Sequence, residues 1–418
     1  MLSRPRFDRV EVFVRPIAVL PIALILLTVA PAAAMSDVGA IILEFNTSVR
    51  AEGMGSSGVA THWGGDPGSW ANPGLLAYQE GLRFSKMESR LAPDLADEVW
   101  LRDERVTFGV AGFGLLYDRG PLEGTFLVGF PQGTDDAGNS TGTNQSWMKA
   151  ERIGAGVSLF RFLESVAGQS DSSVSKMLDV SVGYTYIAFE DQLAPDEVLQ
   201  DGSAGPAKGD ARSFGTLIHF TPLNTVGPTY AAGPLGGVRL SLAYGQSLLN
   251  DSTSLIVHTD TEQRDPFPRK YVRWWSAHVE TGFPPDLRAG LRHMGLGRLV
   301  DSLTPLVSYG YTNQSVDPGI LWDVETQQYN YEHDTSGLFN EESTGWELTV
   351  ANIWTIRRGH LLGAGDIDGD TEGNSLGFKL AGVGGMRWDK ATVPQVSGLS
   401  RVEREAWTVW VDLSSLMN

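Results

Sequence analysis

Leu178-Asp179-Val180-Ser181-Val182-Gly183-Tyr184-Thr185-Tyr186 puts an apolar side chain at every second position and a small or polar one between. Successive side chains of a strand point to opposite faces, so the stretch reads as a β-strand with one apolar face and one polar face. Outward from it the same alternation recurs at Ile153, Ala155, Val157 and Leu159; at Val238, Leu240, Leu242 and Tyr244; and at Val307, Tyr309 and Tyr311. It returns at Trp346, Leu348 and Val350, at Leu376, Phe378 and Leu380, and at Trp407, Val409, Val411 and Leu413. The opposite faces carry Gly, Ser, Thr, Arg or Glu. Segments of about 10 residues with apolar-out, polar-in alternation mark a transmembrane β-barrel.

Strands are expected near residues 81–90, 104–117, 122–131, 147–160, 177–190, 211–221, 236–248, 253–262, 270–282, 303–314, 344–357, 374–389 and 402–413, with one more around 287–294. The fold class is therefore all-β, a transmembrane antiparallel barrel of about 14 strands, an even number being the rule for bacterial barrels. Trp147, Trp274, Trp275, Trp346, Trp354, Trp388, Trp407 and Trp410 fall in or at the ends of these strands, where indole rings anchor at the headgroup level. Core packing in a soluble β-sandwich or propeller is the other use of such aromatics, but strands this long without a repeat of fixed period fit it poorly. The connections 134–146, 193–210, 260–270 and 317–343 are long and polar and are expected outside the cell. The connection 161–176 begins Arg161-Phe162-Leu163-Glu164-Ser165-Val166, which reads as a short helix resting at an interface.

The N-terminus reads as an export signal over residues 1–34. Arg4, Arg6, Arg9 and Arg15 precede an apolar run from Ile17 to Val29 and a small-residue site, Ala32-Ala33-Ala34. The run is shorter than the roughly 18 to 20 residues that a spanning helix needs. Removing these residues takes away four Arg and two acids and moves the formal charge from −18 to −20. Such acidity argues against a nucleic-acid partner, whose phosphates need a basic surface. There is no Cys, so neither a thioether lipid anchor nor a disulfide holds the chain, and membrane attachment falls to the barrel, in contact with outer-membrane lipid and lipopolysaccharide.

Residues 35–80 are small, glycine-rich and without sustained alternation, unlike the barrel expected over 81–418. Within them, the run from Val49 through Gly53-Met54-Gly55 to Ala60, followed by Asp66 to Ala77 with Asn72-Pro73-Gly74-Leu75 at its centre, resembles the N-terminal segment of two groups of outer-membrane barrels. These are the long-chain fatty acid transporter (FadL) family and the PorV/PorQ family associated with type IX secretion. Their usual turn is Asn-Pro-Ala-Gly-Leu-like; this chain is one residue shorter. The resemblance implies a 14-strand barrel whose lumen is plugged by a hatch, with Gly53, Gly55, Asn72, Pro73 and Gly74 as hatch or gating residues. Trp388-Asp389-Lys390-Ala391-Thr392-Val393-Pro394-Gln395 also resembles the PorV-like group. The implied functions are passage of a hydrophobic small molecule or, alternatively, a scaffold or shuttle role for a secreted protein.

Motifs of catalysis are missing. None of the seven His is followed by Glu, and there is no Gly-x-Ser-x-Gly elbow and no Gly-Lys-Ser/Thr phosphate loop. No enzyme activity, cofactor or metal is expected. Asp366, Asp368 and Asp370 alternate as in a calcium loop, but Thr371 stands where that loop needs Gly and Gly377 where it needs Glu. They read as a solvated hairpin, with a non-standard cation site as the other reading. Arg152, Arg239, Glu347, Arg357 and Lys379 fall on inward faces and give the lumen a polar lining. Oligomeric state is not readable from these patterns.

Overall fold

In a computed structural model the chain divides into residues 1–31 and residues 32–418. The structure describes residues 40–64, 69–91, 99–119, 126–134, 140–168, 177–192, 206–224, 237–252, 255–257, 264–318, 321–323, 328–330, 341–363, 367–395 and 400–413. The expected signal peptide lies outside them.

Fourteen antiparallel strands close into a barrel. They are β1 (Gly81–Arg90), β2 (Val99–Val110), β3 (Phe113–Arg119, continued by Phe126–Thr134), β4 (Ser140–Ser158), β5 (Leu178–Gln192), β6 (Ala207–Asn224), β7 (Val238–Asp251), β8 (Lys270–Thr281), β9 (Val307–Pro318), β10 (Glu341–Val350), β11 (Trp354–Gly363), β12 (Ile367–Leu380), β13 (Gly384–Val393) and β14 (Val402–Val411). Each pairs with the next, and β1 pairs with β14 from Leu82↔Val411 to Ser89↔Arg404, so no edge is left open.

The number of strands matches the expectation through errors that offset each other. The stretches 344–357 and 374–389 each hold two strands, because Ala351 and Asn352 (φ 52° and 54°) and Gly382 (φ 72°) make tight turns inside them. A turn of two or three residues hardly interrupts an alternating pattern, so two strands read as one. The stretch 104–117 likewise contains the Ala111-Gly112 turn, with φ of 51° and 80° as a two-residue hairpin requires. In the other direction, the described residues of 253–262 hold the two-residue strand Ile256–Val257, laddered with Arg264–Asp265. The strand expected at 287–294 is a helix, Pro285–His293, begun by Pro at its first turn, with Asp286 there and Arg292 and His293 in the last.

The tight turns at 111–112, 351–353 and 381–383 lie at one end of the barrel, called here the short-turn end, together with α2 (Leu159–Val166), α3 (Pro285–His293) and α4 (Gly297–Ser302); α2 is the helix expected from Arg161 onward. The connections after β3, β5, β7 and β9, in the regions expected to be long and polar, lie at the other end, called here the long-loop end. Outward faces are apolar in the half next to the short turns: Leu82, Phe84, Ile153, Val182, Leu242 and Val409 are exposed. Tyr117, Tyr186, Trp275, Trp346, Trp388 and Trp407 follow in a girdle, and beyond it come outward ion pairs such as Lys86–Glu104, Lys149–Glu151, Lys208–Glu190 and Lys390–Glu403. Inside, the order is reversed. The long-loop half buries Met87, Leu101, Ala150, Ile187, Phe189, Ala391 and Val402 in one apolar cluster, while the short-turn half buries Ser158, Ser181, Ser241, Ser276, Thr355 and Thr408.

Candidate functional site: the seat of the lumen segment

Residues 40–64 and 69–79 run inside this wall and are almost entirely buried. They form short pieces: a 3-10 turn, Ile41–Glu44; α1, Val49–Glu52, capped by Ser48 Oγ accepting from Ala51 N (3.3 Å); and a 3-10 helix, Pro73–Tyr78, capped by Asn72 Oδ1 accepting from Gly74 N (2.9 Å).

The wall receives them through glycine. Gly81↔Gly109, Gly109↔Gly114, Gly114↔Gly156, Gly156↔Gly183 and Gly183↔Gly215 are direct cross-strand pairs that run as one unbroken row from β1 to β6. Gly245 on β7, Gly310 on β9, the pair Gly345↔Gly359 on β10 and β11, and Gly373 on β12 extend it around the lumen. A Cβ on Gly109 would collide with Gln79 O, on Gly114 with Leu76 O, on Gly183 with Pro73 O and on Gly245 with Val59 O. Gly within a strand marks a place where another backbone comes close, and here the row forms a trough for the segment's main chain.

β8 departs from the pattern. Trp274 stands opposite Gly245 in the inward register, between Val272 (3 % exposed) and Ser276 (0 %). It is 39 % exposed, with φ 151°. At its cross-strand partner Gly245 a Cβ would collide with Val59 O, and the β8–β9 register passes from Arg273↔Ser315 to Ser276↔Thr312 without pairs for Trp274 and Trp275.

Polar side chains lock the seat. Arg50 Nε and Nη2 donate to both oxygens of Glu347 (2.9 and 2.7 Å), and Arg50 Nη1 donates to Trp63 O (2.6 Å). Glu347 also accepts from Trp63 Nε1 (3.0 Å) and Arg357 Nε (2.7 Å). Arg357 Nη1 continues to Asp389 (2.9 Å), which takes Arg387 Nε on its other oxygen (2.7 Å). This charge network is buried, and its bidentate Arg50–Glu347 pair, with the single bonds of Arg357 and Arg387, offsets the desolvation of the ions. Glu52 faces Arg404 (3.6 Å) and accepts from Ser56 Oγ (3.0 Å); burial raises its carboxyl pKa, against the opposing pull of Arg404. Gln314 Oε1 accepts from Gly58 N and Val59 N (2.9 and 3.0 Å). Toward the short-turn end the lumen is filled by rings: His62 lies 4.1 Å from His219, and Trp63 stacks on His278 at 4.8 Å.

The five residues marked in the sequence all sit in the seat, in two groups. Gly53 meets Gly373, and Gly55 donates to Thr371 Oγ1 (2.8 Å) at φ 70°, where a Cβ would be 2.5 Å from His360 O. On the facing wall, Gly74 O accepts from Ser181 Oγ (2.8 Å), and Pro73 rests on Gly183. Asn72 ties the groups together, its Nδ2 donating to Val59 O (2.8 Å) and to Thr216 O (2.9 Å). Arg50, Trp63, Gln314 and the wall glycines carry as much of the seat and were not marked. Of the acidic run, Asp366 lies outside the described residues, while Asp368 and Asp370 are exposed beside His360 (3.2 and 3.1 Å). Among the described residues no group of three metal-ligating side chains converges.

No protein-family model matches the chain, and no curated protein matches it. Among solved structures it is similar to the Pseudomonas putida toluene transporter TodX, at 11 % identity over 86 % of this chain and 96 % of that one, with a TM-score of 0.35. The monoaromatic hydrocarbon channel CymD aligns at 13 % identity over 86 % and 95 %, with a TM-score of 0.32. Pseudomonas aeruginosa OpdK, solved with vanillate, aligns at 10 % identity over 78 % and 96 %, with a TM-score of 0.28.

Proposed function

We propose that the chain is a non-enzymatic outer-membrane barrel of the fatty-acid-transporter type that passes hydrophobic small molecules, with residues 40–79 as its hatch. The outward apolar half, bounded by an aromatic girdle, is what a bilayer needs from a barrel, and the long-loop end faces outward from the cell. The observation that carries the transport reading is the apolar inner wall of the long-loop half, where Leu101, Ile187 and Phe189 pack with Phe267 of the β7–β8 connection and with Ile42, Leu43 and Val49 of the segment itself. With the segment shifted away that wall would offer apolar surface to the lumen, and a hydrophobic solute leaving water gains roughly 25 cal/mol per Å² of apolar surface it buries. The hatch fills the lumen from that lining, covered by Ile42, Leu43 and Val49, down to the glycine trough, so passage requires the segment to shift.

The test is removal of the hatch. Deleting residues 50–76, or replacing Asn72 and Pro73 with Ala, is expected to raise single-channel conductance while the barrel still migrates faster unheated than boiled, and to abolish selective uptake of a hydrophobic solute. Wild-type conductance from a correctly assembled deletion variant would overturn the hatch role. Unchanged uptake combined with loss of a co-purifying exported protein would favour the secretion-linked alternative that the PorV/PorQ resemblance implies.

A further inference from the structure

Two helical elements at the short-turn end carry apolar faces that the barrel does not use. α2 leaves β4 directly, with Ser158 Oγ accepting from Arg161 N (3.3 Å). Arg161 then lies over the Tyr78 ring at 5.7 Å and donates to Glu80 (3.0 Å). These contacts fasten one side of the helix to the barrel mouth and turn the other side away from it. That other side is Leu159, Phe162, Leu163 and Val166, an i, i+3, i+4, i+7 stripe, with Leu163 60 % and Val166 71 % exposed.

α3 and α4 are fastened as firmly. Asp301 holds Arg292 (2.8 Å) and Arg288 (3.4 Å). Ser302 Oγ accepts from Ala381 N (2.9 Å), and Asn352 Nδ2 donates to Thr304 O (2.5 Å), so two of the tight turns brace the pair. Leu287, Met294, Leu296 and Leu299 remain exposed. The elements lie four strand positions apart around the rim, one after β4 and the other after β8. Both are held in place, and both present large apolar side chains outward. Contiguous apolar surface on a fixed element marks an interaction surface.

Its continuity with the wall identifies the occupant. The α2 stripe prolongs the outward face of β4, where Ile153 is exposed, and at this end the outward wall stays apolar to its last residues, Val307, Val350 and Val411. The opposite rim is charged. Arg288, Arg292, His293 and Arg298 alternate with the exposed leucines of α3 and α4, the arrangement of a helix lying between acyl chains and phosphate headgroups. We infer that α2 and the α3–α4 pair are interfacial anchors that bind phospholipid of the leaflet at the short-turn end and extend the barrel's membrane contact beyond its wall. This rests on the reading of the barrel as membrane-spanning.

The chain has no Cys, so single nitroxide labels report position directly. Leu163→Cys and Leu287→Cys, with Leu242→Cys on the wall and Glu405→Cys beyond the girdle as references, are labelled in the full-length barrel. They are reconstituted in phosphatidylethanolamine–phosphatidylglycerol vesicles and probed for collision with oxygen and with a water-soluble nickel chelate. Labels at 163 and 287 are expected to match 242, with an oxygen-to-nickel accessibility ratio several-fold above that at 405. If they match 405 while 242 remains lipid-like, the anchors do not exist, and the rim is a surface for a soluble protein. If 242 itself matches 405, the membrane reading fails and takes the anchors with it.

Discussion

The two halves of the barrel wall are built on opposite principles. On β13, Met386 and Trp388 face outward while Arg387 and Asp389 face the lumen; two residues further on, Lys390 and Thr392 face outward while Ala391 and Val393 face in. β14 repeats this with Val409 and Trp407 outside Thr408, then Glu405 and Glu403 outside Arg404 and Val402. One half is the inside-out pattern of a protein dissolved in hydrocarbon, and the other is the ordinary pattern of a soluble barrel. Apolar side chains go to whichever side lacks water. The change of side therefore locates the membrane boundary along each strand, and the Tyr and Trp girdle falls at that boundary.

The hardest blow to the contrast would come at the trough. Gly183→Leu drives a side chain into the Pro73 carbonyl and is expected to prevent seating outright, read as loss of the heat-modifiable species or, in barrels that do form, as open-channel conductance. Next is Glu347→Gln, which leaves Arg50 and Arg357 facing each other in the buried network. Breaking such a pair costs about 3 to 5 kcal/mol and should lower the temperature at which the barrel loses heat-modifiability. A matched pair on β1 then sharpens the comparison of the halves. Phe84→Arg, on the apolar half, should cost about 2 to 4 kcal/mol in assembly, whereas Glu88→Arg, on the same face four residues along, should change it by less than about 1 kcal/mol. Equal effects in denaturant titrations of the two would mean that the boundary is misplaced. The smallest effect belongs to Lys390→Ala, which removes only outward ion pairs with Glu403 and Glu405 and is expected to shift stability by about 0 to 1 kcal/mol.

Much of this architecture was legible in the alternation, because side-chain period is the quantity that burial selects. Val182 and Leu242 do face out, and Ser181 and Ser241 do face in. Turns were the weak point. Ala351-Asn352 carries no Gly or Pro, and the alternating pattern runs across it, so β10 and β11 merged. The helix at 285–293 misled in the other direction, since a short amphipathic run beside strands can pass for another strand. The site was half legible. Gly53, Gly55 and Asn72 stood out because they lie in a segment without strand pattern, whereas Gly114, Gly183 and Gly345 were hidden in strands where Gly looked merely small. Their signal was present: each sits on the polar-face register, and a strand interior gives Gly no reason to be there other than a close neighbour. Arg50 and Glu347 lie 297 positions apart, and only the closed fold brings them together.

The charged outer rim has a consequence for how the molecule reaches its place. A barrel entering a bilayer with its long-loop end leading would carry the outward Lys, Arg and Glu between the girdle and the long loops across the hydrocarbon before it could settle. Each Arg or Lys at mid-depth opposes that crossing by about 2 to 4 kcal/mol, and there are several on successive strands. A finished barrel therefore cannot simply sink into a bilayer. The pairing of β14 with β1 encloses residues 40–64 and 69–79, so the wall is completed around the segment that fills it.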